Sequence, residues 1–202
     1  MKKGEKSLTK RELSTIERRK HIVEAAAVCF VEQGFHQSSM RDVAKQAQVS
    51  LGNLYNHFDS KTDLIAEIAG LEADDLAGIF DLSQKAVSGF ESLGAFVAVY
   101  FDYISKPENA VLAAEITAEA MRSPELVEKF TANRNRNLDA IEVLLTSDDM
   151  VFPETGQVMA EILLDLIEST ATRVAFESEQ TKASARSGLR SILGRLLNIR
   201  KG

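Results

Sequence analysis

The chain has 202 residues, 45% of them hydrophobic and 27% charged, with three prolines, no tryptophan, one cysteine and a formal net charge of −6. That length holds one large domain or two small ones, and plentiful Ala, Leu, Glu and Ile favour an all-helical protein. The single cysteine, Cys29, excludes an intrachain disulfide and fits a reducing cytoplasm.

The charge is divided unevenly. Residues 1–62 carry 11 Lys and Arg against 7 Asp and Glu, whereas residues 63–202 carry 13 against 23. A basic head attracts phosphates, and an acidic body is held away from a polyanion. No apolar run long enough for a signal peptide or a membrane span follows the basic N-terminus, so residues 1–13 are expected to form a disordered basic arm, with no membrane partner.

Ser14 and Glu17 make a capping-box pattern that predicts the start of a first helix. Ile16, Ile22, Val23, Ala26, Ala27, Phe30 and Val31 then recur at helical spacing up to Gly34, a natural C-terminal cap. Ser39 caps a short second helix, with Asp42 three residues on, and Val43, Ala44 and Ala47 form its inner face. Ser50 caps a third helix over residues 51–57. Leu54 turns towards the core with Phe58, which is four residues on, and the opposite face carries Leu51, Gly52, Asn53, Tyr55, Asn56 and His57. Two short helices at this spacing have the geometry that places the second in a major groove.

Ser39, the turn Ala47-Gln48-Val49-Ser50, the run Leu54-Tyr55-Asn56-His57-Phe58, and Lys61 together resemble the helix-turn-helix of the TetR/AcrR family of bacterial transcriptional regulators. The close resemblance covers roughly the first third of the chain. It implies a DNA reader: Leu51, Gly52, Asn53 and Asn56 are candidates for base edges or close backbone approach, and Asn is able to read adenine. Ser39, Arg41, Ser50, Tyr55, His57 and Lys61 are candidates for phosphate contacts. One position departs from the pattern. Gln48 stands where the family has glycine, and positive φ there costs a non-glycine residue ~1–2 kcal/mol.

Ser60 and Asp63 cap a fourth helix, whose Leu64, Ile65, Ile68 and Leu71 continue for several turns with no linker between the head (residues 1–62) and the body (residues 63–202). A tilt at the far end of that helix would move the head. Further helices are predicted over residues 89–104, 108–121, 124–145, 157–176 and 182–199, with a loop at 148–156. The fold class is therefore all-α, with about nine helices: an N-terminal three-helix DNA-binding domain joined to a helical ligand-binding and dimerisation domain.

The last two helices are strongly apolar. Ile162 and Leu166 on one, and Leu189, Ile192, Leu193 and Leu196 on the other, are the candidate surface for pairing with a second copy in a four-helix interface. A two-fold dimer suits a palindromic operator, and the resemblance implies one. The resemblance also implies a cavity for a small-molecule effector. Phe96, Tyr100, Tyr103, Met121 and Phe130 are candidates for its wall, and Glu115, Arg134, Asn137, Asp165 and Glu168 for its polar contacts.

Catalysis finds no support. All three histidines, His21, His36 and His57, lie in the head, and no phosphate loop, nucleophile elbow or metal spacing occurs, so no catalytic residue, metal or cofactor is expected. The expected protein is a ligand-responsive transcriptional regulator, a repressor released from its operator by a small molecule. The alternative is a factor of the same fold that marks chromosome regions or binds a protein partner as a co-activator.

Overall fold

The computed structural model describes residues 10–83, 89–146 and 156–198, and every regular element among them is a helix. The elements are α1 (Lys10–Gln33), α2 (Met40–Gln46), α3 (Leu51–Tyr55), α4 (Lys61–Ser83), α5 (Gly89–Ile104), α6 (Pro107–Ala120), α7 (Pro124–Thr146), α8 (Gly156–Val174) and α9 (Glu179–Asn198). The expected loop at 148–156 lies, up to residue 155, outside the described residues, as do the lysines before Lys10.

Several boundaries differ from the sequence expectation for local reasons. Helix α1 begins at Lys10, so Ser14 and Glu17 sit inside a helix rather than at its cap. Lys10, Arg11, Glu12 and Leu13 are all good helix formers and carry the first turn forward, so the arm expected over residues 1–13 is helical from Lys10. Helix α3 ends at Tyr55, because the chain tightens just beyond it: the Asn56 amide still donates four residues back to the Gly52 carbonyl at 3.2 Å, but the His57 amide donates three residues back to the Leu54 carbonyl at 3.0 Å. Helix α9 begins at Glu179 rather than Lys182, behind a Ser178 hydroxyl that accepts from the Thr181 amide at 3.3 Å.

Backbone contacts divide the chain into two units, Met1–Ile68 and Ala69–Gly202, so the division falls inside α4 at 68 rather than at 62. In the first unit Ile22, Val23, Ala26, Phe30, Val43, Ala44, Leu54, Phe58, Leu64 and Ile65 are buried. Each large side chain among them contributes about 1.5–3 kcal/mol by leaving water. Cys29 belongs to this core, and burial pushes its thiol pKa up, which suits packing rather than reactivity. Gly34 takes φ 82° where α1 stops, as its place after the helix requires.

The second unit has its own core. Leu93, Phe96, Val97, Phe101, Leu138, Ile141, Leu145, Leu163, Leu164 and Ile167 join α5, α7 and α8, and Leu189 and Leu193 bring α9 onto the same cluster. Phe96 stacks on Tyr100 at 5.6 Å within it. No helix among the described residues is long and apolar enough to cross a membrane.

Candidate nucleic-acid interface and helical-body cavity

The helix-turn-helix is assembled by reciprocal serine caps. The Ser39 hydroxyl accepts from the Asp42 amide at 3.2 Å, and the Asp42 carboxylate accepts from the Ser39 amide at 2.9 Å, closing the box at the start of α2. The Ser39 hydroxyl also donates to that carboxylate, and this bond, with the one from the Ser39 amide, holds the Asp42 carboxyl below the usual aspartate range. The Ser50 hydroxyl accepts from the Asn53 amide at 3.1 Å and opens α3. Between them Gln48 has φ 54°, the left-handed conformation that the missing glycine foretold. The turn is closed by the Val49 amide, which donates to the Ala44 carbonyl at 3.0 Å, and by a 2.9 Å hydrogen bond between His21 Nε2 and the Ala47 carbonyl.

The caps and packing decide which side chains remain available. Leu54 and Phe58 are buried, while Ser39, Arg41, Ser50, Gly52, Tyr55 and Asn56 are exposed. Leu51, Asn53 and His57 are half-buried. A Cβ added at Gly52 would meet nothing within 4 Å, so the backbone there is open to an approaching partner. Asn53 turns its Oδ1 inward, where that atom is buried without a hydrogen-bond partner. Asn56, whose side chain is exposed, is the asparagine open to offer both donor and acceptor.

Lys61 departs most from its expected role. Its ammonium donates to the carbonyls of Phe35 and Ser38, each at 2.6 Å, and to that of His36 at 3.4 Å, and it lies 4.6 Å from the centre of the Phe35 ring. All three N–H donors of a lysine are thus directed at the loop between α1 and α2, so Lys61 holds the loop that presents Ser39.

A residue absent from the sequence-based set acts in the same way. Arg19 of α1 donates to Glu67 of α4 and to the carbonyl of His57, with its guanidinium 4.2 Å from the centre of the Phe58 ring. The hydrogen bonds to Glu67 raise its pKa further. No sequence motif marks this arginine, since one of its partners is a backbone carbonyl.

The second unit has a half-open cavity of about 1020 Å³. Of the ten expected ligand residues, Tyr100, Tyr103, Met121, Phe130, Arg134, Asn137 and Glu168 line it, and Ala113, Ala114, Thr117, Ala118 and Ala120 of α6 form much of one wall. The other three do not. Phe96 is a core residue, Glu115 is a half-buried residue of α6 that does not line the cavity, and Asp165 lies outside the wall, where it pairs with Arg134. Within the wall the Tyr100 hydroxyl donates to Glu168 Oε1 at 2.8 Å, and Arg134 Nη1 lies 3.5 Å from Glu168 Oε2. Burial raises the Glu168 carboxyl pKa, against the lowering effect of Tyr100 and Arg134.

The expected dimer surface divides in two. Leu189 and Leu193 are buried in their own unit, 3% and 6% exposed, so they are core residues and not a free stripe. Ile162 and Ile192 are 54% and 44% exposed, as is Val158 at 41%, and Leu166 is half-buried. The Leu196 side chain lies outside the described residues. Among the described residues no cluster of three His, Cys, Asp or Glu could hold a metal ion.

Residues 22–68 match the family model described as bacterial regulatory proteins, tetR family. The chain is 28% identical over 194 residues to the HTH-type transcriptional regulator UidR of Escherichia coli (strain K12), a match covering 89% of this chain and 92% of that one. It is 35% identical over 97 residues to the HTH-type transcriptional repressor KstR2 of Rhodococcus jostii (strain RHA1), covering 46% of this chain and 47% of that one. Among solved structures, the transcriptional regulator FadR from Bacillus subtilis in complex with stearoyl-CoA superposes with a TM-score of 0.73 at 19% identity, covering 89% of this chain and 97% of that one. At that identity the likeness is one of fold.

Proposed function

We propose that this chain, a transcriptional regulator of the tetR family of bacterial regulatory proteins, is a cytoplasmic repressor that binds a palindromic operator as a homodimer and is released by a small molecule. The observation that carries the DNA-binding part is the state of α3. Its N-terminus is capped by Ser50 and its core face is filled by Leu54, while Gly52, Tyr55 and Asn56 stay exposed. Ser39, Arg41, Ser50 and Tyr55 then act as phosphate contacts, and Asn56, Leu51 and the Gly52 backbone approach the bases, with the half-buried Asn53 beside them. Lys61 and Arg19 position these groups without touching DNA.

The homodimer is supported by Val158, Ile162 and Ile192, apolar side chains left exposed on α8 and α9. The effector is supported by the cavity in the same unit and by its seven expected lining residues. The test is selection of bound sequences from a random duplex pool by the full-length protein. A two-fold symmetric consensus, bound with an affinity that falls steeply with salt, is the expected result. Absence of any enriched sequence overturns the operator reading and favours a co-activator that binds a protein partner, whereas a consensus occupied at many sites away from promoters favours a role in marking chromosome regions.

A further inference from the structure

The cavity contains a charge that its own walls do not balance. Glu168 is already served at both oxygens, by the Tyr100 hydroxyl at 2.8 Å and by Arg134 at 3.5 Å. A cationic guest would find no carboxylate in need of a partner. Arg134 and Arg173 both line the cavity. The ion-pair partner nearest to Arg134 is Asp165, a side chain 64% exposed that stands outside the wall, and Arg173 makes no ion pair among the described residues. Arg173 also lies in the last turn of α8, where the helix dipole favours a cation. That accounts for a basic residue, but not for its place in a cavity wall with a second guanidinium. Arg134 is balanced by Asp165 and Glu168, which leaves Arg173 as the guanidinium of the wall without an ion pair among the described residues.

The rest of the wall is of another character. Ala113, Ala120 and Met121 from α6 and its end, with Val127 and Phe130 from α7, offer small and apolar surface.

Resting on the effector role proposed above, we propose that this cavity takes an amphiphile with one anionic head, a carboxylate or a phosphate monoester, engaged by Arg173 and Arg134, with its apolar body along α6. Guanidinium groups suit either anion, because their paired N–H donors match two oxygens at once. The anion shares Arg134 with Asp165, or displaces that exposed carboxylate into water, which solvates it readily.

Calorimetric titration of the full-length protein with four probes of equal chain length tests this: decanoate, monodecyl phosphate, decanol and decyltrimethylammonium. At least one anion is expected to bind ten or more times tighter than decanol, and the cation more weakly than decanol; which anion wins tells carboxylate from phosphate. Arg173→Gln, at an exposed position, is expected to leave the fold and the decanol affinity unchanged and to bring the preferred anion to within about threefold of decanol. The proposal is overturned if decanol matches both anions, if the cation binds tightest, if none of the four probes binds, or if Arg173→Gln keeps the preference for an anion. Operator release is read separately with the same probes. Selective anion binding that leaves the operator occupied would sink the release mechanism while leaving the head-group assignment standing.

Discussion

Arg19 and Glu67 form a two-point ion pair, with Nε 2.9 Å from Oε1 and Nη2 2.8 Å from Oε2, and the remaining arm of Arg19 donates to the His57 carbonyl at 2.9 Å. One side chain of α1 thereby fixes the end of the recognition segment against the first turns of α4. Both partners are partly exposed, so solvent screening reduces what the pair itself contributes. Arg19→Gln is expected to lose about 1–2 kcal/mol of stability once the carbonyl bond and the contact with Phe58 are included. DNA affinity should fall alike on every sequence. Arg19→Lys should recover little of either, since an ammonium cannot reproduce the fork. Denaturant titration and a gel-shift series check both effects, and parental behaviour of Arg19→Gln in the two assays would refute the positioning role.

Gly52 separates folding from binding. An added methyl meets no protein atom within 4 Å, and alanine is the better helix former by up to about 1 kcal/mol. Gly52→Ala should therefore fold at least as stably as the parent and yet bind DNA at least tenfold more weakly. Parental affinity would show that no close backbone approach occurs there.

Gln48, at φ 54°, holds strain that glycine would relieve. Gln48→Gly should gain about 0.5–1 kcal/mol, the relief being partly offset by the freer unfolded chain. A urea midpoint that stays the same or falls would count against strain at this turn.

Neighbours on α9 should behave oppositely. Leu193→Glu places a charge in the core of its own unit and should cost several kcal/mol, giving poorly folded protein. Ile192→Glu and Ile162→Glu alter exposed positions and should leave folded monomers that lose the palindromic site. Sedimentation with circular dichroism distinguishes these outcomes. Folded dimers from both isoleucine variants would exclude this face as the interface.

Glu168 makes stability depend on pH with a definite sign. Its folded pKa is raised, chiefly by burial, above the ordinary glutamate value of 4.5. The unfolded state therefore releases the proton first, and stability present below the ordinary value is lost as pH rises through the folded one. Glu168→Gln should flatten the stability profile in the interval just above pH 4.5. Denaturant midpoints across that interval, compared between the two proteins, measure it; identical slopes would contradict the assignment.

What the sequence revealed and what it hid have a common physical basis. Caps are local, so Ser39 with Asp42, Ser50, and Ser60 with Asp63 can be read from spacing alone, and each makes its bond. The cavity is expected from the family resemblance alone, since aromatic and charged residues at helical spacing fit a plain core and a solvated face equally well; seven of the ten residues named for it line the cavity. The same periodicity could not say whether the Leu189 and Leu193 face covers its own unit or a second copy, since both need an identical stripe. Arg19 and Lys61 were illegible in another way. Their acceptors include backbone carbonyls, which every residue possesses and no motif records.

The wall of the cavity has a consequence for how this regulator can change. Ala113, Ala114, Ala118 and Ala120 leave space because their side chains stop at one carbon. An alanine codon becomes a valine codon by a single base change, and each such step adds two methyl groups. Valine on an exposed or half-exposed helix face costs only a few tenths of a kcal/mol in helix propensity. Effector range can thus be narrowed by filling, one replacement at a time, while Arg134, Glu168 and Tyr100 at the polar end keep their bonds. Inheritance of a roomy alanine wall gives descendants of this chain many short routes to new ligands.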